Sequence, residues 1–241
     1  MATTLTIHQR ALRSTVIKKV IMAVSGLIMI AFLLMHMYGN LKMFVGPESF
    51  DHYAHWLKGL AEDGVTKEGG LMYPIMPAGQ FIIVFRAALG LAVILHIWSA
   101  ATLARLSRKA AGPGYQHKAN QVRTYSSRTM RWGGVIMLAF IIFHLLQFTV
   151  IPAQFGEADP AHPHVMVIYA FEQWWMVLIY LVCMVLVCMH VRHGIWSALT
   201  TLGANTSPNA RKVLNIVAFV VAVVLFVGFM APPLAIFFGI V

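Results

Sequence analysis

WWMVLIYLVCMVLVCMHVRHGIWSAL, residues 174–199, decides the class of fold. It exceeds the roughly 20 mostly apolar residues that carry a helix across a bilayer. Deep within it lies His190, and His193 follows one helical turn later. A histidine inside a membrane span is uncommon, and as a rule it has a function. Three other apolar stretches also hold one histidine each: His36, His96 and His144.

The whole chain has the same character. Of its 241 residues 59% are hydrophobic and 11% charged, where a soluble domain carries about 25% charged residues. Mean hydropathy is +0.75. Barrel strands alternate in character over about ten residues, and these runs do not. The composition therefore predicts an all-α integral membrane protein, a bundle of five transmembrane helices that forms a single domain over residues 1–241. The spans are expected at 20–44, 78–105, 132–151, 174–199 and 213–238. Pro152 ends the third, and Pro232 with Pro233 suggests a kink or an end in the fifth. The first apolar run is too long for a cleavable leader. Cys183 and Cys188 share the fourth span without a metal-binding spacing and read as small apolar filler.

The net charge of +10 does not indicate nucleic-acid binding, because the basic residues flank the spans. Of the 18 lysines and arginines, 14 fall in the lead-in (Arg10, Arg13, Lys18, Lys19), the second-to-third loop (Arg105 to Arg131) and around the fourth-to-fifth connection (Arg192, Arg211, Lys212). All eight acids fall at the other end. The positive-inside rule then puts the N-terminus in the cytoplasm and the C-terminus outside. In the long first outer loop, GPESFDHYAHWLKGLAEDG reads as an interfacial amphipathic helix with Phe50, Tyr53, Trp56, Leu57 and Leu60 on one side. Gly112, Pro113 and Gly114 predict a turn in the basic loop. His52, His55, His162 and His164 read as solvated loop residues, and HPH at 162–164 is too sparse for a metal site.

Helical rise sets the depth of each buried histidine. Counted from Lys19, His36 lies about 25 Å across, and counted from Arg131, His144 lies about 20 Å across, both in the outer half. Counted from the outer side, His96 and His190 each lie about 24 Å in, near the inner face. Depth thus pairs His36 with His144 and His96 with His190. A single such histidine is adequately read as an interhelical hydrogen bond. Two facing pairs on different helices instead fit the two axial positions of a haem iron, one haem per pair. With both axial positions filled, the chemistry is electron transfer. Gly26 and Gly134 each precede an outer histidine by ten residues and would allow close approach of a flat ring or a helix. By spacing alone His193 competes with His190, which is the deeper of the two.

The segments FLLMHMYGN around His36, VILHIWSA around His96, IIFHLLQ around His144 and MHVRHGIWSALTTLG around His190, in this order, resemble the dihaem cytochrome b membrane anchor of bacterial succinate:quinone oxidoreductase. The resemblance implies His36 and His144 as ligands of the outer haem, and His96 and His190, rather than His193, as ligands of the inner haem. It implies two haem b, a quinone substrate (menaquinone by resemblance) and the bacterial cytoplasmic membrane as location. It also implies flavoprotein and iron–sulfur partner subunits on the cytoplasmic side, with the basic loop, Arg10 and Arg13 in reach of them. Some family members carry a glutamate just before the fourth-helix ligand, where CMVLVCMH has none, so the resemblance carries no proton route through that helix.

For a quinone, the candidates near the outer pair are Glu48, Asp51, His52 and Tyr53. Arg86, about 9 Å into the second span, needs a partner there, such as a haem propionate or a quinone oxygen. Arg192 and Arg131 are further candidates for propionate or quinone contacts, and an inner site near Lys19, Ser25 or Arg131 is the alternative. The same chemistry would serve a cytochrome b of a hydrogenase or formate dehydrogenase. Buried histidines would also serve a proton-coupled transporter.

Overall fold

The computed structural model describes residues 14–110, 125–156 and 158–241, with only the backbone of 125–129 and 131. The lead-in with Arg10 and Arg13, the Gly112–Pro113–Gly114 turn and the Arg131 side chain lie outside the described residues. The described helices are α1 (Thr15–Leu41), α2 (Pro47–Lys58), α3 (Gln80–Ala110), α4 (Tyr125–Leu145), α5 (Pro163–Glu172), α6 (Trp174–Thr201) and α7 (Pro208–Phe237). Five of them, α1, α3, α4, α6 and α7, are long and apolar enough to cross a membrane. No strand occurs among the described residues beyond an isolated bridge between Leu60 and Lys67.

Local chemistry sets the helix ends. The Ser207 hydroxyl accepts from the Ala210 N–H at 3.1 Å, and Pro208 takes the first helical position, so α7 starts before its apolar run does. Helix α3 continues past Arg105 to Ala110, because a helix satisfies its own backbone in the headgroup layer while Arg108 and Lys109 reach water. Helix α7 runs through Pro232 and Pro233 to Phe237. These prolines therefore do not end it. Both are buried in the bundle, the setting in which a membrane helix tolerates proline.

Helix α6 is the centre of the bundle and packs against α1, α4 and α7. Its buried residues Met176, Tyr180, Met184, Cys188, Val191, Ile195 and Ala198 follow helical spacing. Met184, Cys188, Val191 and Ile195 meet Ala218, Ala222, Leu225 and Met230 of α7, where the alanines let the two backbones approach. The outward faces carry exposed Ile83, Val135, Leu178 and Val220, a surface suited to lipid rather than water.

The acid-bearing end is built up further than the sequence reading expected. Helix α2 packs against α1, α3 and α5 and closes that end of the bundle. It stops in a left-handed Gly59 (φ 68°), where Leu60 N–H reaches the His55 carbonyl and Gly59 N–H the Trp56 carbonyl. Phe50, Tyr53 and Leu57 turn inward to a cleft, whereas Trp56 stays 41% exposed. Residues 163–172, read as part of a loop, form α5 with Pro163 in its first turn. His164 is not a solvated residue. Its backbone N–H donates to Asp51 Oδ1 at 2.8 Å, and its Nδ1 lies 2.6 Å from Oδ2. His55 is also buried, with Nε2 donating to the Pro160 carbonyl at 3.0 Å. His162 is exposed and bonds Asp159 at 2.7 Å, which raises its pKa above the usual histidine value.

Candidate functional site

The four span histidines meet in two pairs. The ring centres of His36 (α1) and His144 (α4) are 5.8 Å apart, and those of His96 (α3) and His190 (α6) are 6.1 Å apart. Two imidazoles on one metal ion, each with its nitrogen about 2 Å from the metal and its ring centre about 1 Å further back, have centres about 6 Å apart. Both pairs have that spacing.

Two of the rings have their tautomer fixed by neighbours. His96 Nδ1 lies 3.1 Å from the Met22 carbonyl, which can only accept, so Nδ1 carries the proton and Nε2 keeps its lone pair. Ser25 donates to the Ile21 carbonyl at 2.7 Å and presents its oxygen 3.4 Å from the same Nδ1. A Cβ at Gly26 would lie 3.3 Å from His96 Cε1, so this glycine lets the ring lie against α1. At the other level His144 Nδ1 lies 3.0 Å from the Tyr180 hydroxyl, which donates its own proton to Gln147 Oε1 at 2.7 Å. The hydroxyl can then only accept, and again Nε2 is the free nitrogen.

Hydrogen bonds of this kind, from the ring nitrogen that stays off the metal, orient a metal-ligating histidine. Among the described residues, buried polar atoms without a hydrogen-bond partner are Ser99 Oγ, His190 Nδ1, Trp196 Nε1 and Thr200 Oγ1. All four lie toward the basic end of the bundle, on α3 and α6, where a polar ligand would satisfy them. The donor set and these orphaned atoms fit a haem with ionised side arms.

Beside His36, a cleft of about 190 Å³ opens between α1, α2 and α3, with Phe32, Tyr53, Lys58, Phe85 and Arg86 in its wall. Among the described residues neither Lys58 nor Arg86 has an ion-pair partner. Burial, and then the neighbouring Arg86, lower the Lys58 pKa, with Asp51 opposing. Burial and then Tyr38 raise that of Tyr53, with Lys42 opposing. The Tyr53 ring packs over Gly39.

Not every sequence candidate reaches this cleft. Tyr53 and Arg86 line it. Asp51 is turned the other way and ties α2 to α5, while Glu48 and His52 are exposed and do not line it. Arg192 lies over the Phe219 ring at 5.5 Å, on the α7 side. Ser25 supports His96, Lys19 is exposed, and it is Lys18 that turns inward. Lys58, Tyr180 and Gln147 were not among the sequence candidates. The count that set His144 at its level also sets Tyr180 there, ten residues before His190.

Residues 105–229 match the family model described as the succinate dehydrogenase/fumarate reductase transmembrane subunit. The match takes in His144 and His190 and covers more than half of the chain. This chain belongs to that family. It is a multi-pass membrane subunit of a succinate dehydrogenase or fumarate reductase, a complex that also contains flavoprotein and iron–sulfur subunits. No curated protein and no solved structure matches it. Membership sets aside the hydrogenase, formate dehydrogenase and transporter readings.

Proposed function

We propose that this chain is a dihaem cytochrome b anchor that passes electrons between the iron–sulfur subunit and a membrane quinone. The observation that carries the reading is the pair of opposed imidazole pairs, 5.8 and 6.1 Å between ring centres, each drawn from two different helices. His36 and His144 hold one haem b, and His96 and His190 the other. When bound, each haem would supply a one-electron couple suited to electron transfer rather than to oxygen chemistry.

The chain's own groups position that chemistry. Met22 and Tyr180 engage Nδ1 of His96 and His144, which leaves each Nε2 free and would make it the nitrogen that holds an iron. All four histidines are half-buried between the helices, and His36 also borders the cleft. Lys58 and Arg86, two cations without an acidic partner among the described residues, face the cleft beside His36 and would attract a propionate or a quinone oxygen. Tyr53 offers a hydroxyl to the same space. Menaquinone is the quinone we assign, from the family resemblance alone.

The charge distribution supports a cytoplasmic basic end in a bacterial inner membrane, with the acid-bearing end outside. Lys18, Arg105, Arg108 and Lys109 line an open basin of about 430 Å³ at the basic end, the side on which we place the partner subunits.

A pyridine haemochrome assay against protein concentration tests this reading. Two haems per chain are expected. One should be lost in His36→Ala or His144→Ala and the other in His96→Ala or His190→Ala, with succinate reducing the haem in the complete complex. A purified complex without b-type bands refutes it.

A further inference from the structure

We infer that Tyr180, held by Gln147, is a positioning residue that sets the tautomer of His144 and through it the redox balance of the haem at that level. The inference rests on the dihaem reading above and concerns residues to which that reading gave no redox role.

The network is complete and buried. Gln147 is 1% exposed, and its Nε2 donates to Met176 Sδ at 3.5 Å. Its Oε1 accepts the Tyr180 proton at 2.7 Å, and the Tyr180 oxygen lies 3.0 Å from His144 Nδ1. Gln147 lies in a single π turn, Leu146–Val150, that follows α4, where Ile151 N–H reaches back to the Leu146 carbonyl. The extra residue in that turn changes the register after His144, and such turns recur at functional sites. Phe171 and Phe140 lie edge-on to the Tyr180 ring, at 4.9 and 5.1 Å between ring centres, and fix it in place.

An N–H donated to a fixed oxygen makes the opposite ring nitrogen more basic. A more basic axial ligand favours ferric over ferrous iron. Tyr180 therefore holds the couple at this level lower than an unsupported imidazole would. The other level has a different support, because His96 donates to a backbone carbonyl that no side-chain substitution removes.

The test is a redox titration, with low-temperature electron paramagnetic resonance, on the purified complex. Tyr180→Phe keeps the ring and removes only the oxygen. Both haems should be retained. At the ambient potential that half-oxidises the wild-type haem at the His144 level, its oxidised-to-reduced ratio should fall about threefold to tenfold, the equilibrium weight of one buried hydrogen bond. The other haem should not move. Gln147→Leu should shift the same couple in the same direction by less. The double variant should shift it no further than Tyr180→Phe alone, because Gln147 acts through the phenol.

An unchanged couple in Tyr180→Phe overturns this inference and leaves the dihaem reading standing. If Tyr180→Phe loses that haem, Gln147→Leu decides: a shifted couple supports the inference and an unshifted one overturns it. A wild-type protein with no haem at His36 and His144 overturns the dihaem reading itself.

Discussion

Replacing Gly26 separates the fold from the site. A Cβ built there lies 3.3 Å from His96 Cε1 and 3.5 Å from His96 Nδ1. Relaxed carbon contacts lie at about 3.5–4.0 Å, so an alanine asks the ring to move by a few tenths of an ångström. The Met22 carbonyl that accepts from this ring is on the same helix, one turn earlier, so a ring moved off α1 also moves off its acceptor. That bond starts at 3.1 Å and would approach the limit of a useful hydrogen bond, about 3.5 Å. Loss of such an outer-shell contact costs about tenfold to a hundredfold in ligand affinity. Helix propensity works in the other direction, since Gly→Ala within a helix favours folding by roughly 0.5–1 kcal/mol. Gly26→Ala should therefore leave the thermal transition level or raised while haem occupancy at the His96–His190 level falls. Gly26→Val, with two further methyl groups against the imidazole, should abolish it. The assay is haem per chain with a redox titration to identify which haem remains. Gly26→Val with two haems and unchanged couples would refute the argument that this glycine seats the ring.

Further outcomes follow from the same geometry. His190→Ala should remove one haem and His193→Ala should leave both, as counted by haemochrome. Asp51→Ala removes the carboxylate that bonds His164 twice, and each such charged hydrogen bond is worth about 1.5–3 kcal/mol, so the thermal transition should fall while the His96–His190 haem is retained. Lys58 has its pKa lowered below 10.5, so its protonated form is disfavoured in the folded chain and its charge is lost at a pH below the ordinary lysine value. Loss of that charge beside His36 disfavours the reduced haem. The potential at that level should therefore fall with alkaline pH in the wild type and sit low, without that step, in Lys58→Met.

The five spans were legible because a bilayer imposes one requirement, a long apolar run, and residues 174–199 meet it without ambiguity. The levels of the histidines were legible because helical rise converts a residue count into depth. Three features were not. HPHVMVIYAFE reads as loop from its proline and histidines, yet the proline opens α5 and the second histidine locks it to Asp51. Lys58, a lone lysine near the end of an amphipathic segment, looks solvated until α3 brings Arg86 to the same cleft. Gln147 depends on a π turn, which changes the register of a helix without any residue type that announces it.

The distance between the two levels can be measured twice within the fold, on helices that run in opposite directions. On α1, Gly26 marks the His96 level through its contact with that ring, and His36 follows ten residues later. On α6, Tyr180 marks the His144 level through its hydrogen bond, and His190 follows ten residues later. Each interval corresponds to about 15 Å along the bundle. The agreement is not imposed by either pair alone, since the first ruler uses a packing contact and the second a polar one. It means the two imidazole pairs are stacked along the bundle rather than set side by side. In the dihaem arrangement proposed above, two levels so stacked would let an electron pass along the bundle from one end to the other.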